Sequence, residues 1–359
     1  MSDNRRRYFA IKEALRKLRG MEPQGNMARH VNTLAALVSG IVGGKSTNLP
    51  EIAKKVPDEA LPESRTKRYT RWVKNKRIDI ETYYLPYAKA VLESLAGGPL
   101  VLIMDGSEVG RRCLCLMVSV VYKGRSLPIS WLVVTGSKGH FPEDLHVSLL
   151  EQVHKLIPEG AQVIFLGDGE FDGTSLQATI DNYEWEYACR TAKNVILNSD
   201  GEEFAFEEVD IQPGKVISLP RVGFTHDNYG PVHAVAWWRK GYQEPIYLVS
   251  NMELAQEICY WYKKRFRIET FFSDQKSRGF NLHRSHISDP KRLSRLMIAA
   301  CLAYLWMVFL GALAMQNGLH KLIHRRDRCD ISLFQMGLRA LEHFLNQGLP
   351  IPVAFHMLS

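Results

Sequence analysis

The sequence predicts an α/β protein: a mixed five-stranded sheet with flanking helices, interrupted by a β-rich segment and preceded by a helical, basic N-terminal region. Three observations carry that prediction. Between residues 99 and 135 three apolar, β-branched runs follow one another, PLVLIMD, CLCLMVSVVY and LPISWLVVT, with short Gly/Lys/Arg turns between them. After them, helix-like and strand-like stretches alternate. Finally, the charge is distributed in blocks. Residues 1–90 hold 19 Lys/Arg against 9 Asp/Glu and residues 254–328 hold 14 against 5, whereas residues 91–190 hold 7 against 13 and residues 191–253 hold 5 against 9.

A chain of 359 residues exceeds what one compact core ordinarily serves, which predicts more than one domain. Hydrophobic residues at 46% and charged residues at 23% exclude a disordered or fibrous chain. The net charge of +8 permits a polyanionic partner without requiring one. Its arrangement says more: basic flanks suit a phosphate backbone, and an acidic centre suits bound cations. Cys113, Cys115, Cys189, Cys259, Cys301 and Cys329 form no CxxC pair, so neither a zinc site nor a disulfide framework is expected, and a reducing cytoplasm fits. The opening MSDNRRRYFA lacks the apolar run of a secretory leader. One stretch pulls the other way. Leu296 to Met315 carries no charge over a length that would span a bilayer, although a buried core helix apolar on all sides reads the same.

Taken in order, residues 1–90 form a helical, basic domain. Helices are expected at 28–39, 49–56 and 63–76, broken by GIVGGKSTNLP and by Pro57 and Pro62. The third, PESRTKRYTRWVKNKR, interleaves Tyr69 and Trp72 with Arg65, Arg68 and Lys76, and helix, turn and basic helix suggest a helix-turn-helix-like reader of DNA. The plainer reading is a solvated basic helix whose two aromatics pack inward. Residues 97–190 form the first part of the sheet core. After the three strands come a helix at EDLHVSLLEQVHKLI, a strand at AQVIFLGD, a helix from about Thr174 to Asn182 and a strand at WEYACRT. This strand–strand–strand–helix–strand–helix–strand order resembles the ribonuclease H-like fold. Residues 191–253, with KVISL, GPVHAVAWW and PIYLVSN, read as a β-rich insertion. Residues 254–325 return to the core with a long helix over 254–278 and the apolar helix over 293–316, and residues 326–359 form a helical tail.

Two carboxylates end apolar strands, Asp105 after VLIM and Asp168 after VIFLG, and acids at strand C-termini face the edge where ligands of α/β proteins gather. A lone aspartate there more often caps a turn, and Asp172, ahead of Gly-Thr-Ser, is read as a helix N-cap. Glu108 and Glu170 are further acidic neighbours. In WYKKRFRIETFFSDQKSR, a turn of ~100° per residue brings Tyr262, Arg265, Glu269 and Lys276 into one narrow arc beside an apolar stripe. An exposed Arg–Glu pair at i, i+4 would give the same spacing.

That spacing, Y-x2-R-x3-E-x6-K, together with IMDGSEVG and FLGDGEFDG, resembles the DDE transposases of the insertion-sequence-four group, over roughly residues 30–320. The resemblance implies a metal-binding catalytic triad of Asp105, Asp168 and Glu269. It implies that Tyr262, Arg265 and Lys276 grip phosphates near the element's end. It also implies a β-rich insertion between the second aspartate and the glutamate. The chemistry implied is cleavage at the element's ends, releasing a 3′-OH that attacks target DNA, with two Mg²⁺ (or Mn²⁺) ions as cofactors. The partners implied are duplex DNA, as inverted-repeat ends and as target, and a second copy in a dimer on DNA, with no membrane and no nucleotide; the location is the cytoplasm, on the nucleoid. In relatives a tryptophan before the signature helix stacks a flipped base; here Trp237 and Trp238 are the candidates, although a Trp pair on a strand more often packs into a core.

Ser39–Thr47, SGIVGGKST, nearly spells a phosphate-binding loop, but Ser39 replaces its first glycine and a helical pattern precedes it, so ATP binding is not expected. His283 and His286 beside Arg284 could touch DNA or merely pack. The rival readings are a DNA-binding protein of the same fold without strand transfer, a structure-specific nuclease that cuts but never joins, and a membrane protein resting on residues 296–315 alone.

Overall fold

The computed structural model describes residues 1–17, 23–136, 140–325 and 328–358. Residues 326 and 327, which open the expected C-terminal tail, lie outside the described residues. Six helices come first: α1 (Asp3–Lys17), α2 (Gly25–Gly44), α3 (Leu49–Lys54), α4 (Pro62–Lys74), α5 (Ile80–Tyr83) and α6 (Leu85–Leu95). The strands β1 (Leu100–Gly110), β2 (Cys113–Tyr122) and β3 (Arg125–Thr135) follow, then α7 (Glu143–His154), β4 (Val163–Gly167), α8 (Thr174–Asn182) and β5 (Glu186–Arg190). Next come β6 (Ile196–Ser199), β7 (Glu202–Ala205), β8 (Val216–Phe224), β9 (Tyr229–Trp237) and β10 (Ile246–Ser250). The chain closes with α9 (Ala255–Tyr262), α10 (Arg267–Gln275), α11 (Pro290–Gln316), α12 (His320–Ile323) and α13 (Leu333–Asn346).

All ten strands join one mixed sheet in the order β3-β2-β1-β4-β5-β10-β9-β8-β6-β7. β1 to β3 form an antiparallel meander, β4 and β5 run parallel to β1, and β10 returns antiparallel to β5. The near-continuous apolar runs of β1, β2 and β4 follow from burial on both faces. The β-rich segment therefore extends the core sheet through β10 instead of building a separate one. The sequence pattern caught β8, β9 and β10 but not the short hairpin β6–β7, whose outer strand is half solvated.

Three expectations need correction. α2 does not break at GIVGG; it runs to Gly44 and ends at Lys45, in the left-handed region at φ 49°. Glycine is needed inside that helix for close approach, since a Cβ on Gly40 would stand 2.5 Å from Ile52 Cγ2 in α3. The phosphate-loop-like text is thus a helix end, with Ser39 accepting from Arg7 and Thr47 donating to the Asn281 carbonyl. The long helix expected over 254–278 is two helices. From Trp261 to Ile268 the backbone bonds close three residues on: the Lys264, Arg265 and Arg267 amides donate to the Trp261, Tyr262 and Lys264 carbonyls at 2.8, 3.0 and 3.0 Å. Four basic residues crowd that stretch, and like charges on one helical turn weaken it. Third, β1 continues past Asp105 to Gly110, because β2 goes on pairing with it where β4 has ended.

α11 is long and apolar enough to cross a membrane, but 94% of its apolar window is buried inside the protein, among α2, α13 and β3. Its crossing with α13 is made by glycines. A Cβ on Gly311 would lie 1.9 Å from the Leu333 carbonyl oxygen, and one on Gly337 1.8 Å from that of Met307. Backbone cannot yield as a side-chain tip can, so Gly337→Ala is expected to destabilise the fold by at least about 1–3 kcal/mol. The shift in the urea midpoint measures it, and an unchanged midpoint would refute so close a crossing.

Candidate active site

Parallel neighbours put their C-terminal ends on the same edge. The last β1–β4 pairing is Ile103 with Leu166, and Asp105 and Asp168 each stand two residues beyond it. Asp105 Oδ1 accepts from the Gly106 amide at 2.8 Å, and Gly106 cannot carry a side chain because a Cβ would meet the Phe141 ring at 2.8 Å. Asp168 Oδ1 accepts from the Glu170 amide at 3.1 Å, closing a turn beyond the strand. Glu269 arrives on α10, which Ile268, Phe271 and Phe272 bury. The Arg125–Asp274 ion pair, 3.1 Å long and largely buried, fixes α10 to the start of β3.

Between these acids lies Arg265. Its Nη1 is 3.7 Å from Asp105 Oδ2 and 3.6 Å from Asp168 Oδ2, and its Nη2 donates to Glu269 Oε1 at 3.1 Å. The guanidinium is 8% exposed, Asp105 15%, Asp168 36% and Glu269 55%. Burial, reinforced by the Asp168 carboxylate and opposed by Arg265, pushes the Asp105 carboxyl up to about 7. Tyr262 is buried and pushed up to about 12 by that burial, against the pull of Arg265 and Arg190. Lys276 follows the end of α10; burial lowers its pKa, and its Nζ donates to Ser107 Oγ at 2.7 Å.

Carboxylate oxygens converging on one cation are the donor type that a hard divalent ion takes, so the residues suit one chemically. As placed, the Arg265 guanidinium lies among them. Among the described residues no three His, Cys, Asp or Glu side chains stand grouped to hold an ion.

The structure separates the remaining candidates. Arg65 does not face solvent: Nη1 donates to the Ala53 and Val56 carbonyls at 2.6 and 2.8 Å and Nε to that of Ala60 at 3.0 Å, capping the end of α3. Tyr69 and Trp72 are buried, Trp72 Nε1 donating to the His30 carbonyl at 3.2 Å, as the plainer reading had it. Arg68 is exposed but paired to Asp58 at 2.6 Å, and Lys76 is exposed. An open groove of about 440 Å³ between α2 and α4 brings Arg29, Asn32, Arg68, Arg71 and Asn75 together. Trp237 is buried, with Arg239 and Lys263 each 5.2 Å from its ring. Trp238 points to the other face, and with Arg190, Lys193 and Tyr247 it lines a cleft of about 660 Å³ that reaches Asp168. Asp172 is not an N-cap; Gly173 takes that place, Glu143 Oε1 accepts the Leu176 amide at 2.9 Å, and Asp172 Oδ2 accepts from Thr191 Oγ1 at 2.6 Å.

Sequence reasoning missed Ser107 and Arg190. Strand alternation could have found Ser107, two residues from Asp105 and so on the same face. Nothing local marks Arg190, which at the end of β5 lines the cleft that reaches Asp168.

The chain matches the family model of the transposase DDE domain over residues 96–306. No curated protein sequence matches it. Among solved structures it is similar to the piggyBac transposase synaptic complex with hairpin DNA, at 11% identity and a TM-score of 0.45, over 96% of this chain and 80% of that one. It is also similar to human ENDOV, at 12% identity and 0.26, over 61% and 95% of the two chains. A third is Marinitoga piezophila Argonaute in complex with guide RNA and target DNA, at 13% and 0.24, over 71% and 38%.

The raised pKa of Asp105 has a measurable sign. Between about pH 4 and pH 7 the folded protein keeps a proton that the unfolded chain has released, so the stability this proton gives is lost as pH rises through 7. Asp105→Asn never ionises. In metal-free buffer its stability relative to the parent should rise by roughly 1–3 kcal/mol between pH 5 and pH 8. Urea midpoints at the two pH values measure this; a constant or reversed gap would refute it.

Proposed function

The chain belongs to the transposase DDE domain family, and from that premise we propose that it is a transposase of the insertion-sequence-four group. It cuts the phosphodiester at its own element's ends and joins the freed 3′-hydroxyl to target DNA. The observation that carries this reading is the gathering of Asp105, Asp168 and Glu269, from two adjacent parallel strands and a helix, around one guanidinium. In this reading residues 97–190 and 254–325 make a ribonuclease H-like core, residues 191–253 its insertion, residues 1–90 the basic DNA-binding part and residues 326–359 a helical tail. The protein works as a dimer on duplex DNA in the cytoplasm, at the nucleoid.

Asp105, Asp168 and Glu269 would hold two Mg²⁺ or Mn²⁺ ions, which when bound supply an activated water and a stabilised leaving oxygen. The other residues bind and orient. Lys276 and Ser107, already bonded at 2.7 Å, offer an ammonium and a hydroxyl to a phosphate on the Asp105 side. Tyr262 and Arg265 offer a phenol and a guanidinium on the Asp168 side. Trp238, half-buried in the cleft beside Asp168, is the better placed of the two tryptophans to stack an unpaired base, because the faces of Trp237 are covered. Lys67, Arg71, Lys74 and Lys76, all exposed, give the N-terminal part its phosphate contacts.

With labelled element-end duplex and Mg²⁺, Glu269→Gln is expected to lower nicking by at least about 100-fold while end binding persists; nicking at the parent rate would overturn the site. Arg71→Ala with Lys76→Ala should weaken duplex binding and reduce the slope of log K against log salt by about two. Arg65→Ala should instead lower the melting temperature and leave that slope unchanged. An unchanged slope in the double variant would remove α4 from the DNA contact.

A further inference from the structure

A guanidinium surrounded by three carboxylates stands where a ligand cation would. The fit is loose. Of the three contacts only the 3.1 Å one to Glu269 is a hydrogen bond; the 3.7 and 3.6 Å approaches to Asp105 and Asp168 are held by charge alone. Arg265 Nε is buried with no hydrogen-bond partner. A planar guanidinium carrying one positive charge leaves the oxygens of three acids incompletely served, whereas a small divalent ion carries two charges and takes oxygen ligands directly. The backbone beneath it is the tight turn between α9 and α10, the kind of segment that accommodates a hinge. Phe266, 42% exposed, holds its ring 4.5 Å from the guanidinium on the solvent side. Arg265 therefore has weak bonds inward and a short way out.

We propose that Arg265 is a placeholder cation: it gathers the three carboxylates in the metal-free protein and must withdraw before divalent ions bind there. The inference rests on the metal-holding role proposed above for Asp105, Asp168 and Glu269, and adds to it that loading competes with an internal residue. Two consequences follow. The apparent affinity for the ion is reduced by the fraction of molecules in which Arg265 still occupies the cluster. An incoming phosphate, by giving the guanidinium another partner, raises that affinity, and by reciprocity the ions raise affinity for DNA. The site is thus kept poorly loaded until DNA arrives.

The test is a Mn²⁺ titration of the full chain without DNA, read by the loss of the free-ion paramagnetic resonance signal. Arg265→Gln is expected to bind Mn²⁺ roughly tenfold tighter than the parent, Arg265→Lys to stay near the parent, and added duplex to tighten the parent but not Arg265→Gln. Equal or weaker binding by Arg265→Gln would overturn the inference. The unaltered chain gives a second measurement that needs no variant to fold: phenylglyoxal labelling of Arg265, followed by mass spectrometry, should increase when Mn²⁺ is added, and unchanged labelling would overturn the inference too. Asp105→Asn separates the two levels of argument. If it abolishes Mn²⁺ binding in both the parent and the Arg265→Gln chain, a failed competition sinks only the placeholder. If it leaves both isotherms unaltered, the metal-holding role fails and the placeholder with it.

Discussion

Three acids brought to one edge of a largely buried sheet favour a positive partner, and here Arg265 stands among them. Opposite unit charges about 4 Å apart attract by about 4 kcal/mol at an effective dielectric near 20. Each carboxylate lies at about such a distance from the guanidinium, yet at Asp105 the neighbouring Asp168 carboxylate opposes ionisation more strongly than Arg265 favours it. The balance is incomplete at Asp105, the most buried of the three, whose carboxyl stays up near 7 despite its neighbour. A site left partly unsatisfied in this way favours any added positive charge.

The scaffold makes that convergence hard to avoid. The parallel pairing of β1 with β4 puts Asp105 and Asp168 on one edge irrespective of loop conformation. Glu269 has no strand to fix it, and its helix is fastened twice over: Phe271 packs edge-on against Tyr304 of α11 at 5.0 Å, and the buried Asp274 meets Arg125. α11 in turn is gripped by α13 through the Gly311 and Gly337 crossing. The apolar helix that could be mistaken for a membrane span is the keel against which the helix carrying Glu269 is set. Its uniform apolarity follows from being covered on every side.

How much of this could be read from the sequence depends on the range of the forces involved. β1 to β5 and the helices between them were legible because burial on two faces writes an unbroken apolar run, and the two aspartates were legible as the places where those runs stop. The break between α9 and α10 was not, since KKRF holds neither Pro nor Gly and its residues are mostly good helix formers. The like charges of Lys263, Lys264, Arg265 and Arg267 weaken the helix there, and Arg265 stands beside acids from β1 and β4, up to 160 positions away in the chain. The same holds for Asp172, which reads locally as a cap but is claimed by Thr191 of the next strand connection. Likewise β10 looked like part of a separate insertion because pairing partners leave no local mark.

The basic surplus of the N-terminal region needs the same correction, and it changes what that surplus means. Arg6 spends its guanidinium on the Phe344, Leu345 and Leu349 carbonyls, Arg7 on those of Ser39 and Lys55, and Arg65 on the end of α3. Arg295 of α11 reaches back to the Val73 and Ile78 carbonyls. These arginines cap helix ends and bind the N-terminal helices to one another, to α11 and to the C-terminal segment, which a planar, multiply donating group does well. A count of charges treats them as available to a polyanion, and they are not. Of the basic residues that face outward, Lys67, Arg68, Arg71, Lys74, Lys76 and Arg77 lie on α4 and just past its end, while Arg5, Lys17, Arg29, Lys45, Lys54, Lys55 and Lys89 are spread over the other helices and their ends. The carbonyls that need satisfying in the interior are met by arginine, whereas the exposed basic residues are of both kinds. The basic surface able to meet a phosphate backbone is therefore smaller than the net charge suggests, with α4 its densest part.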